Sequence, residues 1–437
     1  MPKPVEFWEP HIENISRKEL MKLQFKRLKR QLIRVYEYSP FYRRRFREAG
    51  VTPDDLRSLD DLRKFPFTTK DDLRNYAYPN GGEFLTVPQD QLISFHMTSG
   101  TTGRPTVGPY TANDLELWTN LMARSLVAAG VRKGDVMLNA YGYGLFTGGL
   151  GFHYGAMRIG AAVIPWSAGR TEGLVQALLD YKATVLSSTP SYMLYIAEVM
   201  EKKGVDPRQL SLRITCPGAE PVPRELVTKI NNLFALKERN GGTRQCYGST
   251  ELIGPGAGMA TPCIEELGGF LMWTDHFYVE VIDPDTGEPV GEGEEGELVI
   301  THLTREAMPL IRYRQRDIVK VSYVSTDCGR EAFPVVQIRS RVDDVIFYKG
   351  TKIFPTAIQE ILAKMPEVLE YQIVIDRRGP EHHFILKIET PFPSDVLAQR
   401  IASEVQIATF ARPKVEFVPP NTLPRFEGKA KRVVILE

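Results

Sequence analysis

Thr184-Val185-Leu186-Ser187-Ser188-Thr189-Pro190 carries the reading of the fold. A short apolar run ends in hydroxyls and a proline, which predicts a buried strand leading directly into a helix. Thr189 is the expected cap and Pro190 the first helical residue, with Tyr192, Leu194, Tyr195 and Val199 continuing at helical spacing. The same unit recurs on both sides. Upstream, Val136-Met137-Leu138-Asn139 runs into the glycine-rich turn Tyr141–Gly149, a helical stretch to about Ile159, and the strand Ala161–Ile164. Downstream, Leu212–Thr215 ends at Gly218-Ala219-Glu220-Pro221, and a further strand begins near Thr243. Alternating short strands and helices predict an α/β domain with a mainly parallel sheet.

Ligands of such sheets sit beyond the carboxyl ends of the strands. Four segments fall there: the Tyr141 turn, Gly218–Pro221, Gln245-Cys246-Tyr247-Gly248-Ser249-Thr250-Glu251, and the earlier loop Met97-Thr98-Ser99-Gly100-Thr101-Thr102-Gly103-Arg104-Pro105. The loop follows an alternating strand (Ile93, Phe95, Met97) and joins glycines to hydroxyl donors, a composition for wrapping phosphate oxygens. It lacks the Gly-Lys-Ser/Thr of a Walker loop. Taken alone it is equally a polar turn. Glu251 reads either as a Mg²⁺ carboxylate or as an exposed glutamate. Asp317, in Ile311-Arg312-Tyr313-Arg314-Gln315-Arg316-Asp317, reads as an ion-pair partner or a ribose acceptor.

At 437 residues the chain is long enough for two domains, one of them large. Lys+Arg 55 against Asp+Glu 54 leaves almost no net charge, which points away from nucleic-acid and anionic-membrane partners. No apolar run is long enough to span a bilayer, and the N-terminus lacks the core of a signal peptide. Four scattered cysteines make no disulfide framework, so the expected location is cytoplasmic. Residues 14–48 carry helical periodicity (Leu20, Leu23, Leu28, Leu32, Val35), and Arg43-Arg44-Arg45 reads as a solvated face or an anion site. The stretch 59–90 reads as irregular connection. Tyr278–Ile282 and Gly296–Thr301 predict a small antiparallel unit. Residues from about 344 onward, with the stripe Ile358, Ile361, Leu362 and Met365, predict a small α+β domain.

In order along the chain, TSGTTGRPT, AYGYGLFTGGLG, GAEP, YGSTE, PLIRYRQRD, RSRVDD, YKGTKIFP and PRFEGKAKR resemble the adenylate-forming acyl-CoA ligases, and most closely the phenylacetate-CoA ligase family. The resemblance implies an N-terminal adenylation domain over 1–342 and a mobile C-terminal domain over 343–437. It implies that Ser99, Gly100, Thr101, Thr102 and Gly103 hold the ATP β- and γ-phosphates. Gly218, Ala219, Glu220 and Pro221 line the adenine, with Tyr247 and Gly248 beside it. Thr250 approaches the α-phosphate, and Glu251 ligates Mg²⁺. Asp317 and Arg341 hold the ribose. Asp343 is the hinge, Lys429 serves adenylation, and Lys349 and Gly350 arrive with CoA for the second half-reaction. An aromatic acid would sit among Tyr141, Phe146, Gly149 and the turn Gly254-Pro255-Gly256; phenylacetate, indoleacetate and an aminobenzoate all remain open. A non-CoA acceptor, or a nucleotide-binding regulator without catalysis, are the other readings. Retention of Lys429 argues against the regulator. A homodimer is the expected assembly.

Three departures from the family pattern stand out. Arg104 replaces the usual lysine, keeping charge but changing geometry. Ser340 replaces the glycine before Arg341. Cys263, His276 and Cys328 match three ligands of a structural zinc site, while Thr326 stands where the fourth would be, so zinc would need water or Asp327 to complete four.

Overall fold

Five short strands form the expected parallel sheet, in the order Ala162–Ile164, Val136–Asn139, Val185–Ser188, Ile214–Pro217, Gly242–Thr243. The computed structural model describes residues 6–98, 104–325, 329–348, 351–378 and 382–437. Alternate side chains of the central strands enter two different cores. Met137, Val185 and Ile214 pack with Trp118, Met122, Leu126, Phe152 and Ala156 from the helices Ala112–Ala129 and Thr147–Ile159. Leu138 and Leu186 pack with Leu174, Leu178, Ile196, Met200 and Ile230 from the helices Thr171–Asp180, Pro190–Lys202 and Arg224–Leu233. Covered on both faces, these strands read as apolar runs without a polar side. The Thr189 cap forms as its sequence predicts: its Oγ1 accepts the Tyr192 N–H at 3.3 Å, with Pro190 opening the helix.

The antiparallel part is larger than the small unit expected after Tyr278. Seven strands run in the order Phe277–Ile282, Glu295–His302, Tyr313–Ser322, Val335–Arg341, Phe270–Met272, Gly254–Met259, Cys246–Ser249. Gly254-Pro255-Gly256, read as a turn, opens one of these strands instead. The strand expected near Thr243 is followed at once by a second strand, in the other sheet. Gly242–Thr243 closes the parallel sheet, and Cys246–Ser249 lies at the edge of the antiparallel one.

The N-terminal helical stretch divides at Ser39. Arg17–Tyr38 begins with a Ser16/Glu19 capping box, and Pro40–Glu48 begins where the Ser39 hydroxyl accepts the Tyr42 N–H. Arg43, Arg44 and Arg45 bond to the Tyr36 carbonyl, Glu83 and the Phe67 carbonyl, so they tie surface segments together. The stretch expected to be irregular contains a helix, Lys70–Tyr76, started by a Thr69/Asp72 capping box.

The C-terminal part has its own core. A four-stranded mixed sheet, ordered Lys414–Val418, His383–Glu389, Glu370–Asp376, Val433–Leu436, is covered by the helices Pro355–Ala363 and Asp395–Thr409. Ile358, Ile361, Leu362 and Met365 face that sheet as their spacing predicts. Asp343 lies in the short turn Val342–Asp344 that follows the last strand of the seven-stranded sheet. Among the described residues, no helix is long and apolar enough to cross a membrane.

Candidate active site

The Ile214–Pro217 strand delivers Gly218 to the carboxyl edge of the parallel sheet, and Ala219 follows in the left-handed region (φ 68°). A Cβ on Gly218 would stand 2.8 Å from the Cys246 carbonyl oxygen and 3.1 Å from the Tyr141 hydroxyl. Three of the predicted segments therefore meet at this point, and only glycine lets them. Tyr141 is buried, stacked on Phe152 at 5.1 Å, with its hydroxyl donating to the Cys216 carbonyl at 3.3 Å.

Crossing from one sheet to the other brings Tyr247 against Asp317. The Tyr247 hydroxyl donates to Asp317 Oδ2 at 2.7 Å, and its ring stacks on Phe270 at 4.5 Å. Asp317 faces Arg341 across the strand pair, with Nε 3.1 Å from Oδ1. Burial raises the pKa of Asp317, while Arg341, the Tyr247 hydroxyl and Lys429 act against that rise. Burial and then the neighbouring Asp317 carboxylate hold the Tyr247 phenol well above its ordinary range, so it stays a neutral donor. The substitution at Ser340 leaves the strand intact: Ser340 pairs with Ile318 and Arg341 with Asp317.

Thr250 and Glu251 follow the Cys246–Ser249 strand and are both buried. Glu251 Oε1 accepts from the Thr106 hydroxyl at 2.7 Å. Thr106 sits at the end of the hairpin formed by strands Ser94–Met97 and Val107–Tyr110, where the Thr98 N–H donates to its carbonyl and its own N–H donates to Thr98 Oγ1, both at 3.0 Å. A hydroxyl-oriented carboxylate beside this hairpin suits Mg²⁺, a hard cation that takes few protein carboxylates and keeps its waters. Behind it lies Arg305, which the sequence reading missed. Its Nη1 donates to the Glu251 carbonyl at 2.8 Å and its Nη2 to the Pro109 carbonyl at 3.3 Å, with the guanidinium over Tyr110. Ser99, Gly100, Thr101, Thr102 and Gly103 themselves lie outside the described residues, as do Lys349 and Gly350.

Of the residues expected around an aromatic acid, Tyr141 is buried but Phe146 is 52% exposed at the start of the Thr147–Ile159 helix. Gly149 packs where a Cβ would meet the Gly142 carbonyl at 2.6 Å, and its own carbonyl accepts from Asn139. Gly254 (φ +101°) and Pro255 back onto Trp118, whose Nε1 donates to the Pro255 carbonyl at 2.9 Å. A Cβ on Gly254 would lie 2.7 Å from the indole, and one on Gly151 would lie 2.8 Å from it. Trp118 is the second residue missed, because a tryptophan on a helix stripe reads as ordinary core.

Lys429 is exposed in the segment that precedes the last strand, Val433–Leu436, and its charge reaches Asp317. The flanking residues are fixed to the parallel-sheet part. Glu427 Oε1 accepts from Thr171 at 3.2 Å, the Gly428 carbonyl from Thr189 at 3.2 Å, and the Ala430 N–H donates to Glu220 Oε1 at 2.6 Å. Glu220, expected in the segment lining the adenine, bonds through its carboxylate to Ser191 and Ala430.

The zinc set is not assembled among the described residues, which hold no cluster of three or more metal-binding side chains. Cys263 is in a disulfide. His276 spends Nδ1 on Thr304 at 2.8 Å and sets Nε2 3.0 Å from Asp275. Cys328 lies outside the described residues, and Cys216 and Cys246 are free and buried.

With the strand ends of the parallel sheet convergent and the Lys429 segment seated over them, the chain can be compared with the AMP-binding enzymes. Their family profile matches residues 44–304, and that of the AMP-binding enzyme C-terminal domain matches residues 350–435. The chain belongs to the phenylacetate-coenzyme A ligase family of these enzymes. It is 42% identical to the phenylacetate-coenzyme A ligase of Thermus thermophilus, over 98% of this chain and 99% of that protein. It is also 42% identical to that of Escherichia coli, over 97% and 96%. Among solved structures, 2-hydroxyisobutyryl-CoA ligase in the postadenylation state, bound to an acyl-AMP, superposes with a TM-score of 0.91 at 29% identity, covering 100% of this chain and 93% of that one. The same ligase with CoA in the thioesterification state gives 0.74 at 30% identity, covering 100% and 94%. The superposition is thus better with the postadenylation form of that ligase than with its thioesterification form.

Proposed function

We propose that this chain is an acid–thiol ligase that activates a phenylacetate-like aromatic acid with ATP and passes the acyl group to CoA, releasing pyrophosphate and AMP. The observation that carries the reading is the seating of the Lys429 segment over the strand ends, through the Gly428 carbonyl on Thr189 and the Ala430 N–H on Glu220. A carboxylate attacking the α-phosphorus must approach another anion, and a preorganised cation between them lowers that barrier. Lys429 supplies the cation. Asp317 and Arg341 hold the ribose hydroxyls, the Gly218–Pro221 backbone and Tyr247 flank the adenine, and Ser99–Gly103 grip the departing pyrophosphate. Mg²⁺, when bound at Glu251, neutralises charge on the transferring phosphates. The acid lies between Tyr141 and the Gly254–Pro255 strand, where aromatic walls suit a flat ring. Rotation about Asp343, taken as the boundary between 1–342 and 343–437, then exchanges Lys429 for Lys349 and Gly350 and admits the CoA thiol, which displaces AMP. A cytoplasmic homodimer is the matching proposal for location and assembly.

ATP–pyrophosphate exchange across a panel of acids tests this reading, since it reports adenylation without any acceptor. Exchange is expected with phenylacetate or a close aryl acid; exchange with no aryl acid would overturn it.

A further inference from the structure

The segment bearing Lys429 is clasped on both sides. Before it, Arg425 bridges Glu198 at 2.7 Å and Glu389 at 2.6 Å, one acid from each unit. After it, Arg432 donates to Ser191 Oγ at 3.0 Å and pairs with Glu370 at 2.7 Å. Glu220 joins the two units beside the lysine. One oxygen accepts the Ala430 N–H at 2.6 Å; the other accepts the Ser191 hydroxyl at 2.5 Å and the Ser191 N–H at 3.3 Å. Glu220 is 9% exposed, so its carboxylate is committed to these donors. Burial raises its pKa, opposed by Ser191, the Ala430 N–H and Arg432.

We propose that Glu220 is a positioning residue for adenylation, its carboxylate holding the Ala430 N–H and so fixing the backbone from which Lys429 reaches the reacting phosphate. The proposal rests on the adenylating role of Lys429 given above. A lysine side chain has a long flexible stem, so the place of its ammonium is set by where its backbone is anchored. A charge-assisted hydrogen bond from the adjacent residue is a short, strong anchor. It links the two units directly, so it adds stability only to the arrangement in which it forms and biases the chain toward that arrangement. The Ser191 contacts, with the Ser191 hydroxyl itself held by Arg432, orient the carboxylate toward Ala430.

The test measures both half-reactions, pyrophosphate exchange and thioester formation from supplied aryl-AMP plus CoA, for the unaltered chain, Glu220→Ala, Glu220→Gln and Ser191→Ala. Glu220→Ala is expected to lower kcat for exchange about ten-fold more than it lowers thioester formation. Glu220→Gln keeps an acceptor for Ala430 and is expected to recover part of the loss, and Ser191→Ala to show a smaller shift of the same sign. Equal loss of both half-reactions, or a loss carried only by KM for ATP, would overturn the proposal in favour of an adenine-binding role. If Glu220→Ala does not fold, Glu220→Gln and Ser191→Ala decide by the same ratio. Failure of exchange in the unaltered chain would strike the functional reading itself, a result separate from an unaltered ratio in the variants.

Discussion

Replacing Arg305 with methionine removes the guanidinium that ties the Val107–Tyr110 strand to Glu251. Arg305 is 1% exposed and donates to the carbonyls of Glu251 at 2.8 Å and Pro109 at 3.3 Å. A hydrogen bond from a charged donor contributes about 1.5–3 kcal/mol, and the longer of these two belongs near the lower end. Together they come to about 4 kcal/mol. Methionine spares the desolvation of a buried cation, which offsets about a third, leaving a net loss of about 2–3 kcal/mol. Arg305→Lys keeps the charge but cannot span two carbonyls in a fork, so it should fall between. Denaturant unfolding gives the stability change, and exchange at varied Mg²⁺ reports whether Glu251 has shifted. An Arg305→Met protein within about 0.5 kcal/mol of the unaltered chain, with unchanged Mg²⁺ dependence, would refute the idea that this guanidinium holds Glu251.

Two further predictions concern stability. His302 accepts the Leu310 N–H on Nδ1 at 3.0 Å, and burial, then Arg305, holds its pKa well below 6.5. The unfolded chain therefore takes up this proton first, and the stability it confers is full above pH 6.5 and drains as pH falls below, by at most about 1.4 kcal/mol per unit. His302→Asn should flatten the loss of stability between pH 7.5 and 5.5; an unchanged slope would count against it. Gly254→Ala sets a Cβ 2.7 Å from Trp118 at φ +101°, combining left-handed strain with overpacking, for a loss of about 2–4 kcal/mol. A neutral result in thermal unfolding would mean that the Gly254 strand does not press on Trp118.

The parallel sheet was legible because each unit carries its own punctuation. Val185–Ser188 is an apolar run, and Thr189-Pro190 announces the next helix within two residues. The antiparallel sheet was underread because Gly254–Met259 is a strand made of residues that signal turns, and tertiary packing on Trp118 outweighs their propensity. The Lys70–Tyr76 helix hid in polar text, although Thr69 and Asp72 stand at capping-box spacing. The site motifs predicted which segments converge, since each falls at a strand end. They did not predict where side chains go. Glu220 reaches a residue 210 positions away, and Arg305 looks like any surface arginine until its partners are carbonyls from distant segments. Pairings of that separation leave no local pattern.

In the proposed function one site performs two chemistries, with Lys429 present for only the first. The most direct test is Lys429→Ala, assayed separately for pyrophosphate exchange with an aryl acid and for thioester formation from supplied aryl-AMP and CoA. Exchange is expected to fall by about 10²–10³, the size of a lost electrostatic stabiliser, while thioester formation persists. Equal loss of both half-reactions would contradict it.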